Sequence, residues 1–158
     1  MGEFRVGIQW ELKQGDFQEG SYSREHVWTF DGGVVVPASP SPQVVRVPYS
    51  NPACVDPEEA FVAAIASCHM LSFLYVAQQR GFDVRRYDDE AVGVLTKNER
   101  RVSWVSSVVL SPRITYTGER RPTAREITDL HERAHDACFI ANSVKTDIRV
   151  KVLEGVLE

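Results

Sequence analysis

Between residues 60 and 77, 15 of 18 side chains are apolar, and this run decides most of what the chain can fold into. It opens on Asp56-Pro57-Glu58-Glu59. Asp56 is a good helix N-cap, Pro57 suits the first helical position, and Glu59 completes a capping box. Gly81, just after Arg80, supplies a C-terminal stop. Phe61, Ile65, Leu71, Phe73, Leu74 and Val76 point in every direction around such a helix, so it has no polar face for water. The length borders on a membrane span. Ser67, His69 and Ser72 interrupt it, however, and no second stretch of the kind exists. The expectation is a central helix enclosed by the rest of the fold.

The rest of the chain must therefore supply the enclosure, and most of it reads as strand. Phe4, Val6, Ile8, Trp10 and Leu12 alternate with polar residues, the period of a half-buried strand. Gly15 and Gly20 bracket a turn. Tyr22 to Phe30 is a second strand, and Asp31-Gly32-Gly33 is a hairpin signal leading into Val34-Val35-Val36. Five prolines between residues 37 and 53 make an extended loop. After the helix, two weak strands fall in Asp83 to Glu99, then Val102 to Leu110 and Arg113 to Tyr116, with Pro112 marking a break. A second capping box, Pro122-Thr123-Ala124-Arg125-Glu126, opens a helix reaching about Ser143. Asp147 to Leu153 closes the chain as a strand. The order of three strands, helix, three or four strands, helix, strand predicts an α+β fold in one domain, residues 1–158.

Composition sets the setting. With 158 residues, 43% hydrophobic and 25% charged, the chain can bury a core without covalent staples. The net charge of −4 argues against a nucleic-acid surface. Arg85-Arg86, Arg100-Arg101 and Arg120-Arg121 fall at loops or strand ends and read as solvated turns. Met1-Gly2-Glu3-Phe4-Arg5 lacks the features of a signal peptide, and three cysteines fit poorly with a secreted disulfide framework. A cytoplasmic, reducing location is expected, with no membrane partner.

Two of those cysteines are the chemistry candidates. Cys138 shares one face of the second helix with Ile127, Leu130, Ala134, Ala137 and Ala141, and Cys68 lies among small residues on the Phe61/Ala64/Ile65/Leu71 side of the first. Helices meeting on these faces would bring the sulfurs within disulfide reach; two unrelated buried thiols are the plainer alternative. A zinc site is a third reading, because His131, His135 and Cys138 fall at i, i+4 and i+7 and Cys68 could complete a tetrahedron. The core face centres away from His135, and His69 points to a different side of its helix from Cys68. Arg24 and Glu58 enter because a buried thiol is reactive only where something favours its thiolate, and an arginine in that role needs a carboxylate to orient it. Glu58 stands ten residues before Cys68, about 15 Å along a helix. If Glu58 serves this thiol, it must come from a second subunit. Otherwise Glu58 is a first-turn carboxylate and Arg24 a strand surface charge. Cys54, in Asn51-Pro52-Ala53-Cys54, lies in the loop before the helix and is expected to be partly exposed.

Asp56-Pro57-Glu58-Glu59-Ala60-Phe61 followed by Ala66-Ser67-Cys68 resembles the central motif of the OsmC/Ohr family, and Ala137-Cys138-Phe139-Ile140-Ala141-Asn142-Ser143 is similar to its second cysteine motif. The resemblance covers nearly the whole chain. It implies an OsmC-like fold of antiparallel sheets wrapped around two central helices in an intertwined homodimer, with active sites at the subunit interface. It implies thiol-dependent reduction of organic hydroperoxides by Cys68 as peroxidatic and Cys138 as resolving cysteine, with an external dithiol as reductant and no prosthetic group. Glu58 matches the glutamate that orients a catalytic arginine. Arg24 resembles the arginine of the Ohr-like branch, while Arg46 sits nearer the place used by the OsmC-like branch. Phe139 stands where proline usually follows the second cysteine, and His69 where an apolar residue usually follows the first, so the resemblance is to a divergent branch of the family. A non-catalytic dimeric stress or binding protein on the same fold, and a zinc-binding protein, are the rival functions.

Overall fold

The computed structural model describes residues 2–152, and the chain divides into two compact units, residues 1–60 and 61–158. The last residue of the expected final strand, Leu153, lies outside the described residues.

The N-terminal unit is all strand and loop. β1 (Val6–Gln9), β4 (His26–Phe30) and β5 (Val35–Ala38) form an antiparallel sheet in the order β1-β4-β5, and β2 (Gly15–Asp16) pairs with β3 (Ser21–Tyr22) in a small hairpin. The expected turn at Asp31-Gly32-Gly33 joins β4 to β5. Gly33 at φ 83° takes the left-handed conformation that such a turn needs, and its N–H donates to Phe30 O at 2.9 Å. The single strand expected over Tyr22–Phe30 is broken. Around Ser23–Glu25 the backbone turns aside, with Glu25 N–H donating to Ser23 Oγ and Arg24 N–H to Tyr49 O. The alternation of β1 is present, but its apolar face is not covered within the chain: Val6 and Ile8 are exposed.

Helix α1 (Pro57–Gln79) starts where the capping box places it. Glu59 N–H donates to Asp56 Oδ1 at 2.7 Å, and Asp56 N–H to Glu59 Oε2 at 3.3 Å. Gly81, at φ 72°, follows its end. Its length and composition would serve a membrane span, but one stripe of it is packed away. Ile65, His69, Phe73 and Ala77 are buried at successive intervals of four residues. The enclosure expected from the sequence stops there, since Leu71 is 61% and Tyr75 65% exposed in the single chain. An apolar surface on every side remains; the chain's own elements cover one side of it.

The C-terminal unit supplies that cover in two cores. β6 (Asp83–Asp89) pairs with β9 (Pro112–Thr117), and helix α2 (Ala124–Ala137) joins them. Phe73, Ala77, Phe82, Ile114, Leu130 and Ala134 form the first core. β7 (Val92–Lys97), β8 (Ser103–Leu110) and β10 (Asp147–Val150) form a sheet in the order β10-β8-β7, and Val108 and Leu110 pack with Ile65 in the second. Among the described strands of this unit pairing is antiparallel except for β10, which lies parallel to β8. Pro112 opens β9, where a missing N–H costs least.

At Gly93 of β7 the sheet lies close against helix α1. A Cβ there would lie 2.5 Å from Cγ2 of Val62 on α1. Gly93→Ala is therefore expected to lower stability by about 1–3 kcal/mol, as overpacking does, read as a lower urea midpoint at unchanged slope. An unchanged midpoint would mean that the helix can lift off the sheet freely.

Candidate active site

Helix α2 begins at Thr123, whose capping box with Glu126 is complete, but it ends at Ala137 rather than near Ser143. Cys138 leaves helical geometry at φ −74°, ψ 113°. The next residues form a self-bonded turn that satisfies the helix's last carbonyls. Asn142 Nδ2 donates to Asp136 O and Cys138 O, both at 2.9 Å, and Ser143 Oγ donates to Phe139 O at 2.7 Å. Cys138 is thus the residue at which the chain turns, and not a mid-helix packing residue. Ala137, expected to face inward with it, is exposed.

The turn sets the chemistry of Cys138. Its thiol is fully buried, and Ala141 N–H donates to Sγ at 3.4 Å. Burial, and after it a side-chain hydrogen bond with Cys68, push the thiol up from its ordinary value, while the N–H groups of Ala141 and Ile140 act against that rise. Cys68 itself is half-buried, so one thiol of the pair retains access to solvent. The structure brings together the two cysteines singled out by the sequence, as free thiols.

Sequence reasoning gave His69 no partner, and His131 only a place in a metal stripe. Both are in fact among the most buried polar residues, at 1% and 4% exposed. His69 Nε2 and His131 Nδ1 lie 3.0 Å apart, with the rings nearly parallel at an interplanar angle of 7°. Phe73 covers His131 at 4.5 Å between ring centroids. Desolvation, chiefly, pushes both imidazoles down to about 4; the charge of His135 adds to this for His69, and that of His69 for His131. The signal that could have found the pair is His131 at i+7 before Cys138 together with Ile65, His69 and Phe73 on one helical stripe. A zinc site does not assemble: among the described residues no three His, Cys, Asp or Glu side chains come close enough to hold a metal ion.

The remaining candidates lie nearer the N-terminus. Arg24 is half-buried, donates to Tyr22 O at 3.0 Å and Gly20 O at 3.4 Å, and lies over the Tyr22 ring at 4.2 Å. It forms no ion pair among the described residues and faces an aromatic cavity of about 360 Å³ walled by Trp10, Phe17 and Tyr22. Arg46, exposed, stacks on the far neighbour Tyr49 at 5.6 Å, a ring that Arg24 also approaches at 5.9 Å. Glu58 is half-buried in the first turn of α1. Cys54 is partly exposed as expected, and burial followed by the charge of Glu25 pushes its thiol up.

The chain matches the model of OsmC-like proteins over residues 50–153, which includes Cys68 and Cys138. It belongs to the OsmC-like family. An OsmC-like protein of unknown function from Vibrio cholerae is 45% identical, covers 97% of this chain and 100% of its own, and superposes with a TM-score of 0.93. An organic hydroperoxide resistance protein from Elizabethkingia anophelis is 18% identical over 96% of this chain and 94% of its own, with a TM-score of 0.71. An organic hydroperoxide resistance protein of Bacillus subtilis is 17% identical over 96% and 98%, with a TM-score of 0.67. At such identities the last two likenesses are of fold. No curated protein matches the chain. The OsmC-like α+β fold expected from the sequence is the fold observed.

Proposed function

We propose that this OsmC-like protein is a thiol peroxidase that reduces organic hydroperoxides to alcohols. The observation that carries the proposal is that a half-buried thiol, Cys68, lies near enough to the fully buried Cys138 to help push its thiol up. The Cys68 thiolate attacks the distal oxygen of ROOH; the S–O bond forms, the O–O bond breaks, and the alkoxide leaves with a proton as ROH. The resulting Cys68 sulfenic acid condenses with the Cys138 thiol, forming the disulfide and releasing water. An external dithiol restores both thiols by exchange. The buried setting of Cys138 limits competing attack by other thiols. The cytoplasm supplies the reducing setting such a cycle needs.

Arg24 is the arginine that favours the Cys68 thiolate, and Glu58 orients it. Half-buried Arg24, which forms no ion pair among the described residues, suits that role better than exposed Arg46. Glu58 stands ten residues before Cys68 on one helix, so a second copy of the chain supplies it, and the working unit is a homodimer. The exposed Leu71 and Tyr75 of α1 and Val6 and Ile8 of β1 are surface that a second copy would bury. Sedimentation as a monomer at micromolar concentration would refute the shared site.

The decisive test mixes reduced protein with cumene hydroperoxide and counts free thiols. The expected result is the loss of two thiols per chain with one equivalent of peroxide consumed. No loss at millimolar hydroperoxide would overturn the proposal.

A further inference from the structure

The buried imidazole pair is used by nothing in that cycle. It joins the two elements that place the dithiol: His69 directly follows Cys68 on α1, and His131 lies on α2 seven residues before Cys138, the residue at which the chain leaves that helix. A second polar tie near these helices, Arg80 to Asp129 at 2.7 Å, is on the surface. The hydrogen bond is directional, and the nearly parallel rings leave little freedom to slide.

The pair is also an expensive way to fill a core. His69 Nδ1 and His131 Nε2, its two outer nitrogens, are buried with no hydrogen-bond partner. A buried polar atom without a partner destabilises, and leucine or phenylalanine would fill the same space without one. A polar contact kept at such a cost, between the two helices that place the thiols, serves geometry rather than stability.

We propose that His69 and His131 are positioning residues for the dithiol, their mutual hydrogen bond fixing α1 against α2 in the register that sets the Cys68 sulfur against the Cys138 sulfur. The proposal rests on the reading of Cys68 and Cys138 as a working dithiol. A disulfide tolerates little error in the separation and direction of its two Cβ atoms, so a looser helix pair presents Cys138 at a lower effective concentration. The pair acts through the thiols and touches no substrate.

The test is a thiol–disulfide equilibrium, independent of hydroperoxide. Full-length protein is equilibrated with glutathione, in which two protein thiols and one oxidised glutathione give one protein disulfide and two reduced glutathiones. The double variant His69→Phe/His131→Leu is expected to fold with a melting temperature equal to or above that of the parent, because both orphaned nitrogens leave with the pair. Its Cys68–Cys138 equilibrium constant is expected to fall about tenfold, a shift of about 30 mV for a two-electron couple. His131→Gln, which can still hydrogen-bond to His69, is expected to recover most of that loss and gives the same readout should the double variant fail to fold. Equilibrium constants within twofold of the parent in both variants would overturn the positioning role while leaving the peroxidase proposal standing. A parent protein that forms no Cys68–Cys138 disulfide would overturn both. A normal equilibrium without hydroperoxide turnover would overturn the peroxidase reading alone.

Discussion

Cys68→Ser is expected to bring hydroperoxide turnover down by a factor on the order of 10³ or more, because a serine hydroxyl has no accessible anion near neutral pH to replace the thiolate. Cys138→Ser is expected to behave differently. Its Cys68 still reacts once per chain, and the sulfenic acid then has no internal thiol to condense with, so it persists long enough for a 1,3-dione probe to capture or for excess peroxide to carry it to sulfinic acid. The third cysteine makes the titration self-checking. Of three thiols per chain, one is expected to survive oxidation in the parent, one of two in Cys138→Ser, and both in Cys68→Ser. Turnover by Cys68→Ser at the parental rate would remove Cys68 from the chemistry. Loss of the Cys54 thiol in place of Cys138 would reassign the resolving residue.

The N-terminus of each helix was legible because capping is a local code: Asp56 with Glu59 and Thr123 with Glu126 each bond within three residues, and both helices begin as read. The end of α2 was not legible. Its apolar period continues through Cys138 and Ala141, but Asn142 and Ser143 bond back to the carbonyls of Asp136, Cys138 and Phe139 and draw the chain out of the helix. Side chains that reach back to backbone in this way compete with the helix, and periodicity does not register them. The consequence is chemical as well as structural. Cys138 sits in a turn whose N–H groups reach its sulfur, which a mid-helix position would not provide.

The long apolar run is helix as its pattern predicts, and the single chain covers only part of it. Hydrophobicity on every side states that each side needs cover and leaves open which chain provides it. The same holds for β1, whose clean alternation fixes a strand but whose apolar face stands open. The histidine pair was missed for another reason. A polar residue inside an apolar run looks like an interruption, and only a partner 62 positions away makes it a buried contact. Long-range pairing of two neutral imidazoles has no local signature.

That pair also fixes how the protein answers to acid. Its histidines are held at about 4, below the ordinary 6.5 expected when unfolded. Between those values the unfolded chain binds protons that the folded chain refuses, so stability falls as pH drops from 6.5 toward 4. The slope approaches about 1.4 kcal/mol per pH unit for each histidine, and below about 4, where both states are protonated, the loss stops growing. The first proton on the pair buries a charge but preserves the shared hydrogen bond; the second leaves two N–H groups facing each other and breaks it. His135 on α2 adds its repulsion, and Tyr87 of β6, packed on Phe73, is held neutral by burial. Asp88, Glu126 and Asp129 are lowered chiefly by hydrogen bonds to Arg86, Thr123 and Arg133, so their contribution disappears only below the ordinary carboxylate range. Asp89, raised by burial, has the opposite sign: it takes up its proton in the folded state first and offsets part of the fall. Urea midpoints measured from pH 7 to 4.5 are expected to drop for the parent protein and to stay nearly flat for the double variant His69→Phe/His131→Leu. Parallel curves for the two proteins would mean that the buried pair takes up protons as readily folded as unfolded, and that its burial does not hold it neutral.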